Sequence, residues 1–282
     1  MPELPEVETV KLRLTSYIVG HTIRNIEIRL SKIFQGDKAC LLGGKIIGVR
    51  RIAKVLIIDC DNRYSIVIHS KLTGQLLYRG PNLKDPPTIS TKVAGGAPGP
   101  HTHVTFVLDN GGCLYYNDIR QFGWIKVVRT SDVEVIPFIK SLGPEPFDGL
   151  RADRFEKILL SSSRPIKVVL MDQEKIGGVG NIYTNDALWL SGMNPKQPAK
   201  SLSMKEIKKL YEALLTVLTD GLKWGGASEL TFVTPDGKDG QYQEHTRVYG
   251  KKGDLCIRCK KAKIEKYFLS GRGTYVCPNC QK

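Results

Sequence analysis

The alternation of apolar and polar positions divides the chain in two. Near the start, Val7, Val10, Leu14 and Ile18 recur at helical spacing, and Gly20 ends the run. From Ile23 the period falls to two: Ile26, Ile28 and Leu30 alternate with Glu27 and Arg29. Apolar runs at 45–49, 55–60, 65–69, 75–78, 104–108, 113–117 and 123–128 predict further strands, and Asp109-Asn110-Gly111-Gly112 predicts a hairpin turn. Many short strands with turn signals between them predict an antiparallel β-sandwich behind one leading helix. Beyond 150 the pattern turns helical, with short runs at 153–160, 167–172 and 181–190. Ser203-Met204-Lys205-Glu206 then reads as a capping box. It opens a longer helix whose inner face carries Ile207, Leu210, Tyr211, Leu214 and Leu218.

Two stretches keep no period. Residues 81–101, rich in Pro and Gly, predict a long mobile surface loop, and the Gly-rich, polar residues 225–245 predict a second loop. Gly143-Pro144-Glu145-Pro146 marks a linker. The expectation is an α+β chain of two domains: a β-rich domain over 1–134, a linker over 135–150, a helical domain over 151–240, and a cysteine-bearing tail over 241–282.

Composition adds a partner class. Of 282 residues, Lys and Arg number 42 against 28 Asp and Glu, a net charge of +14. That excess predicts an anionic partner, nucleic acid before membrane, because the basic residues are spread along the chain rather than gathered in one amphipathic segment. No apolar run approaches the roughly 18–20 residues of a membrane span. With no secretory leader and an odd cysteine count, a reducing compartment is expected, with Cys40, Cys60 and Cys113 as core thiols.

The other four cysteines form Cys256-x2-Cys259 and Cys277-x2-Cys280, with 17 residues between the pairs. Two such pairs fit one closed, structural Zn2+ site better than a redox dithiol. The residues between them read as a β-hairpin with Arg272 at its tip.

Four further places carry chemistry, each with a plainer alternative. Met1-Pro2-Glu3-Leu4-Pro5-Glu6-Val7-Glu8 is an ordinary helix start, with Pro in the first turn and acids at the positive end of the helix dipole. If Met1 is removed, it is also a secondary amine beside carboxylates. A terminal amine, with a pKa of about 7.7–8.0, is unprotonated in on the order of one molecule in ten at neutral pH. Gly177-Gly178-Val179-Gly180-Asn181 opens a helix whose amides can hold a phosphate, or is merely a glycine-rich turn. Arg120 and Phe122 in Asn117-Asp118-Ile119-Arg120-Gln121-Phe122-Gly123 suit insertion between bases, or are a surface Arg and a half-buried Phe. Lys54 and the His69-Ser70-Lys71-Leu72 segment offer phosphate contacts, or solvated charge.

Taken together and in this order, the opening octet, the Lys54 segment, Asp-x-Arg-x-Phe-Gly, Gly-Asn-Ile-Tyr at 180–183, Val248-Tyr249-Gly250 and the cysteine hairpin resemble bacterial formamidopyrimidine-DNA glycosylases over nearly the whole chain. The opening is less similar to the endonuclease VIII relatives. The resemblance implies an N-terminal catalytic β-sandwich, a helix-two-turn-helix DNA-binding domain and a zinc hairpin. It also implies a bifunctional DNA glycosylase/AP lyase that excises oxidised purines from duplex DNA and also takes abasic sites. By that likeness Pro2 is the nucleophile and Glu3 the proton handler, with Lys54 and Arg272 completing the catalytic set at the phosphates and Glu6 ordering the head. Leu72, His101, Arg120, Phe122, Lys167 and Asn181 contact DNA, and 225–245 covers the flipped base. The expected protein is a monomer of the bacterial cytoplasm, associated with the nucleoid. Departures are Leu72 and Gln121, where the family usually has Met and Arg, a hairpin one residue longer, and a long 81–101 loop. The alternatives are the same chemistry on oxidised pyrimidines, and a non-catalytic zinc-containing DNA-binding protein.

Overall fold

The computed structural model describes residues 2–83 and 89–282. The question of Met1 removal and part of the 81–101 loop therefore lie outside the described residues. The elements fall into two compact units, 1–140 with 224–241, and 141–223 with 242–282.

In the first unit, helix α1 (Leu4–Ile18) precedes strands β1 (Ile23–Ile28), β2 (Phe34–Gln35), β3 (Ile46–Ile52), β4 (Val55–Cys60), β5 (Tyr64–His69), β6 (Gly74–Arg79), β7 (Thr102–Leu108), β8 (Cys113–Asp118) and β9 (Trp124–Arg129), then helix α2 (Pro137–Lys140). The strands form two sheets, ordered β1-β7-β8-β6 and β2-β9-β5-β4-β3. Every pair is antiparallel except the two-residue β2–β9 contact, which is parallel. A core of Leu14 and Ile18 from α1 with Ile26, Leu56, Ile58, Ile66, Ile68, Leu76, Phe106, Tyr116 and Ile125 fills the space between the sheets. At 25 cal/mol per Å2, each fully buried Leu or Ile contributes on the order of 1.5–3 kcal/mol, which anchors α1 and fixes its N-terminus. Residues 135–140, expected in a linker, instead place Ile136 and Ile139 in a second core patch with Val55, Ile57 and Val67.

In the second unit, helices α3 (Ala152–Leu160), α4 (Ile166–Leu170), α5 (Asn181–Ser191), α6 (Met204–Lys223) and α7 (Tyr242–His245) precede the hairpin of β10 (Glu265–Leu269) and β11 (Arg272–Val276). The capping box holds: Ser203 N–H donates to Glu206 at 2.7 Å, and Glu206 N–H donates back to Ser203 Oγ. The Gly143–Pro146 turn is packed rather than free, since Gly143 N–H donates to Gln173 O and Gly177 N–H to Pro144 O.

Residues 224–241, expected with the helical domain, belong to the first unit. They keep the loop character read from composition, yet 232–237 is a buried run. Tyr78 N–H on β6 donates to Pro235 O at 2.7 Å, so the loop's backbone groups are satisfied by a sheet edge over 150 positions earlier in sequence.

Candidate active site

The chain's head sits at a small pocket in the first unit, lined by Pro2, Lys54, Ser70, Gly74, Gln75 and Phe232 among others. Glu3 is the N-cap of α1. Its N–H donates to Glu6 Oε2 at 2.7 Å, and Glu6 N–H donates to the Glu3 carboxylate, a reciprocal capping box built from two glutamates. Both are buried. The other Glu6 oxygen accepts from Ala227 N–H at 2.7 Å, which ties the head to the 224–241 segment. Gly226 permits that approach: a Cβ there would lie 2.8 Å from Glu6 Cγ, and the residue has a φ of +85°. The helix-start reading and the chemical reading of the octet are thus compatible, because the residue that caps the helix also stands beside Pro2.

Lys54 closes the tight turn between β3 and β4, where Ile52 pairs with Val55. It is 6% exposed. Ala53 before it takes a φ of +50°, a conformation costing a non-glycine residue about 1–2 kcal/mol. Arg51 holds the strained turn: its Nη1 donates to Ala53 O at 2.8 Å, and its Nε to Glu8 on α1 at 2.9 Å. Nearby His69 packs against Trp124 and Phe138, and its Nδ1 accepts from Lys71 N–H. Burial, with the positive charges of Lys71 and Lys54 adding to it, pushes its pKa down to about 3, so the ring is neutral.

Arg120 and Phe122 are both exposed, the guanidinium carbon 4.8 Å from the ring centroid. The residue that shapes their turn is Asp118, to which the sequence reading gave no role. Fully buried, it accepts from Gly123 N–H at 2.8 Å, from Arg120 N–H at 3.2 Å and from the Thr73 hydroxyl. Gln121 at the apex has a φ of +56°. Leu72 and His101 are half-buried.

In the second unit, α5 is the organiser. Asn181 opens it after Gly180, partly exposed. Asn185 donates to Asn181 O and accepts from Tyr275 N–H on β11. Asp186, fully buried, accepts from the N–H groups of Arg247, Val248 and Tyr249 and from the Tyr242 hydroxyl. Burial raises its pKa, against those donors. Trp189 Nε1 faces Cys256 Sγ at 3.4 Å. Lys167, expected on DNA, is 1% exposed; its ammonium donates to Gly273 O and Thr274 Oγ1, both at 2.8 Å. It braces the hairpin. The tip is Ser270-Gly271, both at positive φ, and exposed Arg272 begins the return strand.

The sulfurs of Cys256, Cys259, Cys277 and Cys280 lie within 4.8 Å of one another. Cys256–Cys280 and Cys259–Cys277 are separated by 3.9 and 3.7 Å. A tetrahedron with metal–sulfur bonds of about 2.3 Å has edges of about 3.8 Å, so the four thiolates can hold a metal ion.

The comparisons with known proteins agree with this layout. The family model described as the N-terminal domain of formamidopyrimidine-DNA glycosylase matches residues 1–125, and that of its H2TH domain matches 142–233. The formamidopyrimidine-DNA glycosylase of Bacillus cereus is 36% identical, covering 100% of this chain and 99% of its own. The chain belongs to the formamidopyrimidine-DNA glycosylase family. The enzyme of that name from Pelotomaculum thermopropionicum is 38% identical over the same shares. Among solved structures, the MutM (Fpg) protein of Thermus thermophilus superposes with a TM-score of 0.86 at 35% identity, over 99% of this chain and 98% of that one. Lactococcus lactis Fpg, in complex with DNA containing an abasic site, gives 0.86 at 32%, over 99% of each chain. Family membership makes this chain a DNA glycosylase with a helical H2TH domain and a cysteine-bearing hairpin. Among the described residues, no helix is long and apolar enough to cross a membrane.

Proposed function

We propose that this protein is a bifunctional DNA glycosylase/AP lyase that removes oxidised purines from duplex DNA. The observation that carries the reading is the placement of Pro2 at a pocket shared with Lys54, next to a buried Glu3 whose own backbone is pinned by Glu6. Lactococcus lactis Fpg complexes with abasic-site and Fapy-dG DNA support the substrate class.

With Met1 removed, the Pro2 nitrogen attacks C1′ of the extruded nucleotide and the bond to the damaged base breaks, the base leaving with the electron pair and a proton. Glu3 gives a proton to the ring oxygen as the sugar opens to an iminium. Loss of a proton from C2′ then expels the 3′ phosphate, and a second elimination expels the 5′ phosphate. Lys54, Asn181 and Arg272 hold the phosphates, while Arg120, Phe122 and Leu72 fill the vacated stack and His101 adds a DNA contact. Lys167 acts through the hairpin it braces. One structural Zn2+ on the four cysteines would fix that hairpin.

Borohydride reduction of a mixture with an 8-oxoguanine duplex should yield a covalent protein–DNA adduct from protein verified to start at Pro2. No adduct on either an 8-oxoguanine or an abasic duplex would sink the reading. Faster release from oxidised pyrimidines than from oxidised purines would replace the substrate assignment.

A further inference from the structure

Residues 89–94 form a second wall against the segment 228–239. Gln75 on β6, 2% exposed, reaches both: Oε1 accepts from Ala94 N–H at 3.0 Å, and Nε2 donates to Lys92 O at 2.7 Å and to Thr231 O. The Lys92 ammonium donates to Ser228 O at 2.6 Å and to Asp239 at 2.8 Å. Ser90 Oγ takes the other Asp239 oxygen at 2.6 Å, and Ser90 N–H donates to Gly237 O at 2.9 Å. Val93 packs with Val233, Leu77 and Tyr115. Seven polar links, three of them through Gln75, and an apolar contact thus join two stretches that composition alone reads as independent loops. Phe232 and Val233, held between these links, line the pocket that Pro2 also lines.

We propose that residues 89–94 are a built-in brace for the base-covering segment, which makes Gln75 and Lys92 positioning residues for base release. This rests on the reading in which 225–245 covers the flipped base. A braced wall meets the extruded base already ordered, so less ordering entropy is lost at the moment of binding. A pre-formed abasic site presents no base to cover. The brace therefore matters for base release and not for strand cutting at an abasic site.

The test compares single-turnover release of 8-oxoguanine with cleavage of an abasic duplex. Lys92→Met should slow base release about fivefold, as expected for a partly exposed ion pair with one further hydrogen bond. Abasic cleavage and the unfolding midpoint should stay near wild type, and Lys92→Arg should restore release. Gln75→Met should slow release further, and Lys92→Met keeps the test open if that variant misfolds. Equal loss of both activities, or loss of neither, in Lys92→Met would overturn the brace. Deletion of 229–231 separates the underlying reading: base release unchanged by that deletion would show that the segment does not cover the base.

Discussion

Glu3 and Glu6 cap the same helix turn for each other, the Glu3 N–H donating to Glu6 Oε2 at 2.7 Å. Because Glu6 also accepts from Ala227 N–H, its two oxygens serve two buried backbone donors. Glu6→Ala leaves both donors without that partner and should cost about 2–4 kcal/mol of stability, measured by urea unfolding. It should also lower base release more than duplex binding. Glu6→Gln should sit between wild type and Glu6→Ala, since it keeps one acceptor oxygen. Full activity in Glu6→Ala would show that the head does not need this anchor.

The strained turn beside Lys54 makes a prediction of opposite sign. Ala53→Gly relieves about 1–2 kcal/mol of left-handed strain and gives back roughly 0.5–1 kcal/mol through the freer unfolded chain. The variant should be more stable by up to about 1.5 kcal/mol, with Lys54 in place and activity near wild type. A destabilised Ala53→Gly would mean that packing of the buried Ala53 methyl outweighs the strain.

Asp118 should behave as a positioning residue for Arg120 and Phe122. Asp118→Ala removes the acceptor for two turn N–H groups and the Thr73 hydroxyl. Its expected signature is loss of discrimination among the four bases opposite an abasic analogue, read from binding affinities. If discrimination survives, the turn holds itself.

His69 gives stability a pH dependence of known sign. Its folded pKa of about 3 lies below the ordinary histidine value of about 6.5. Between those values the unfolded chain binds the extra proton, so the contribution is complete above about 6.5 and is lost as pH falls toward 3. Urea unfolding at pH 7 and pH 5 should show the wild type losing more stability than His69→Gln. An equal loss in both would assign the acid sensitivity elsewhere.

The legible parts of the molecule are those whose cause is local. Helix α1 follows from Val7, Leu14 and Ile18 at helical spacing, and most sandwich strands follow from short apolar runs between turn signals, because these strands are buried nearly along their whole length. The cysteine cluster is legible because two Cys-x2-Cys pairs at this spacing already suit one metal ion. What escaped the sequence depends on partners distant along the chain. Lys167 looks like one more surface lysine until Gly273 and Thr274, over a hundred positions later, take its ammonium. Asp186 carries no sign that it will be buried under Arg247–Tyr249, and Gln75 none that it will hold two loops at once. The placement of 224–241 in the first unit follows from backbone pairing with β6 and from Glu6, and no composition shift marks it.

The Glu6–Ala227 bond spans 221 positions, and that interval is also a time. At about 5–20 residues per second on the ribosome, the head of the chain waits about 10–45 s before its partner residue is even synthesised. If the Pro2 amine acts as proposed, a prematurely released fragment would carry an aldehyde-reactive end without the Ala227 contact that ties Glu6. On the proposed reading, the pocket around the head would be complete only once position 227 has folded back, so the order of synthesis would itself delay the chemistry of Pro2.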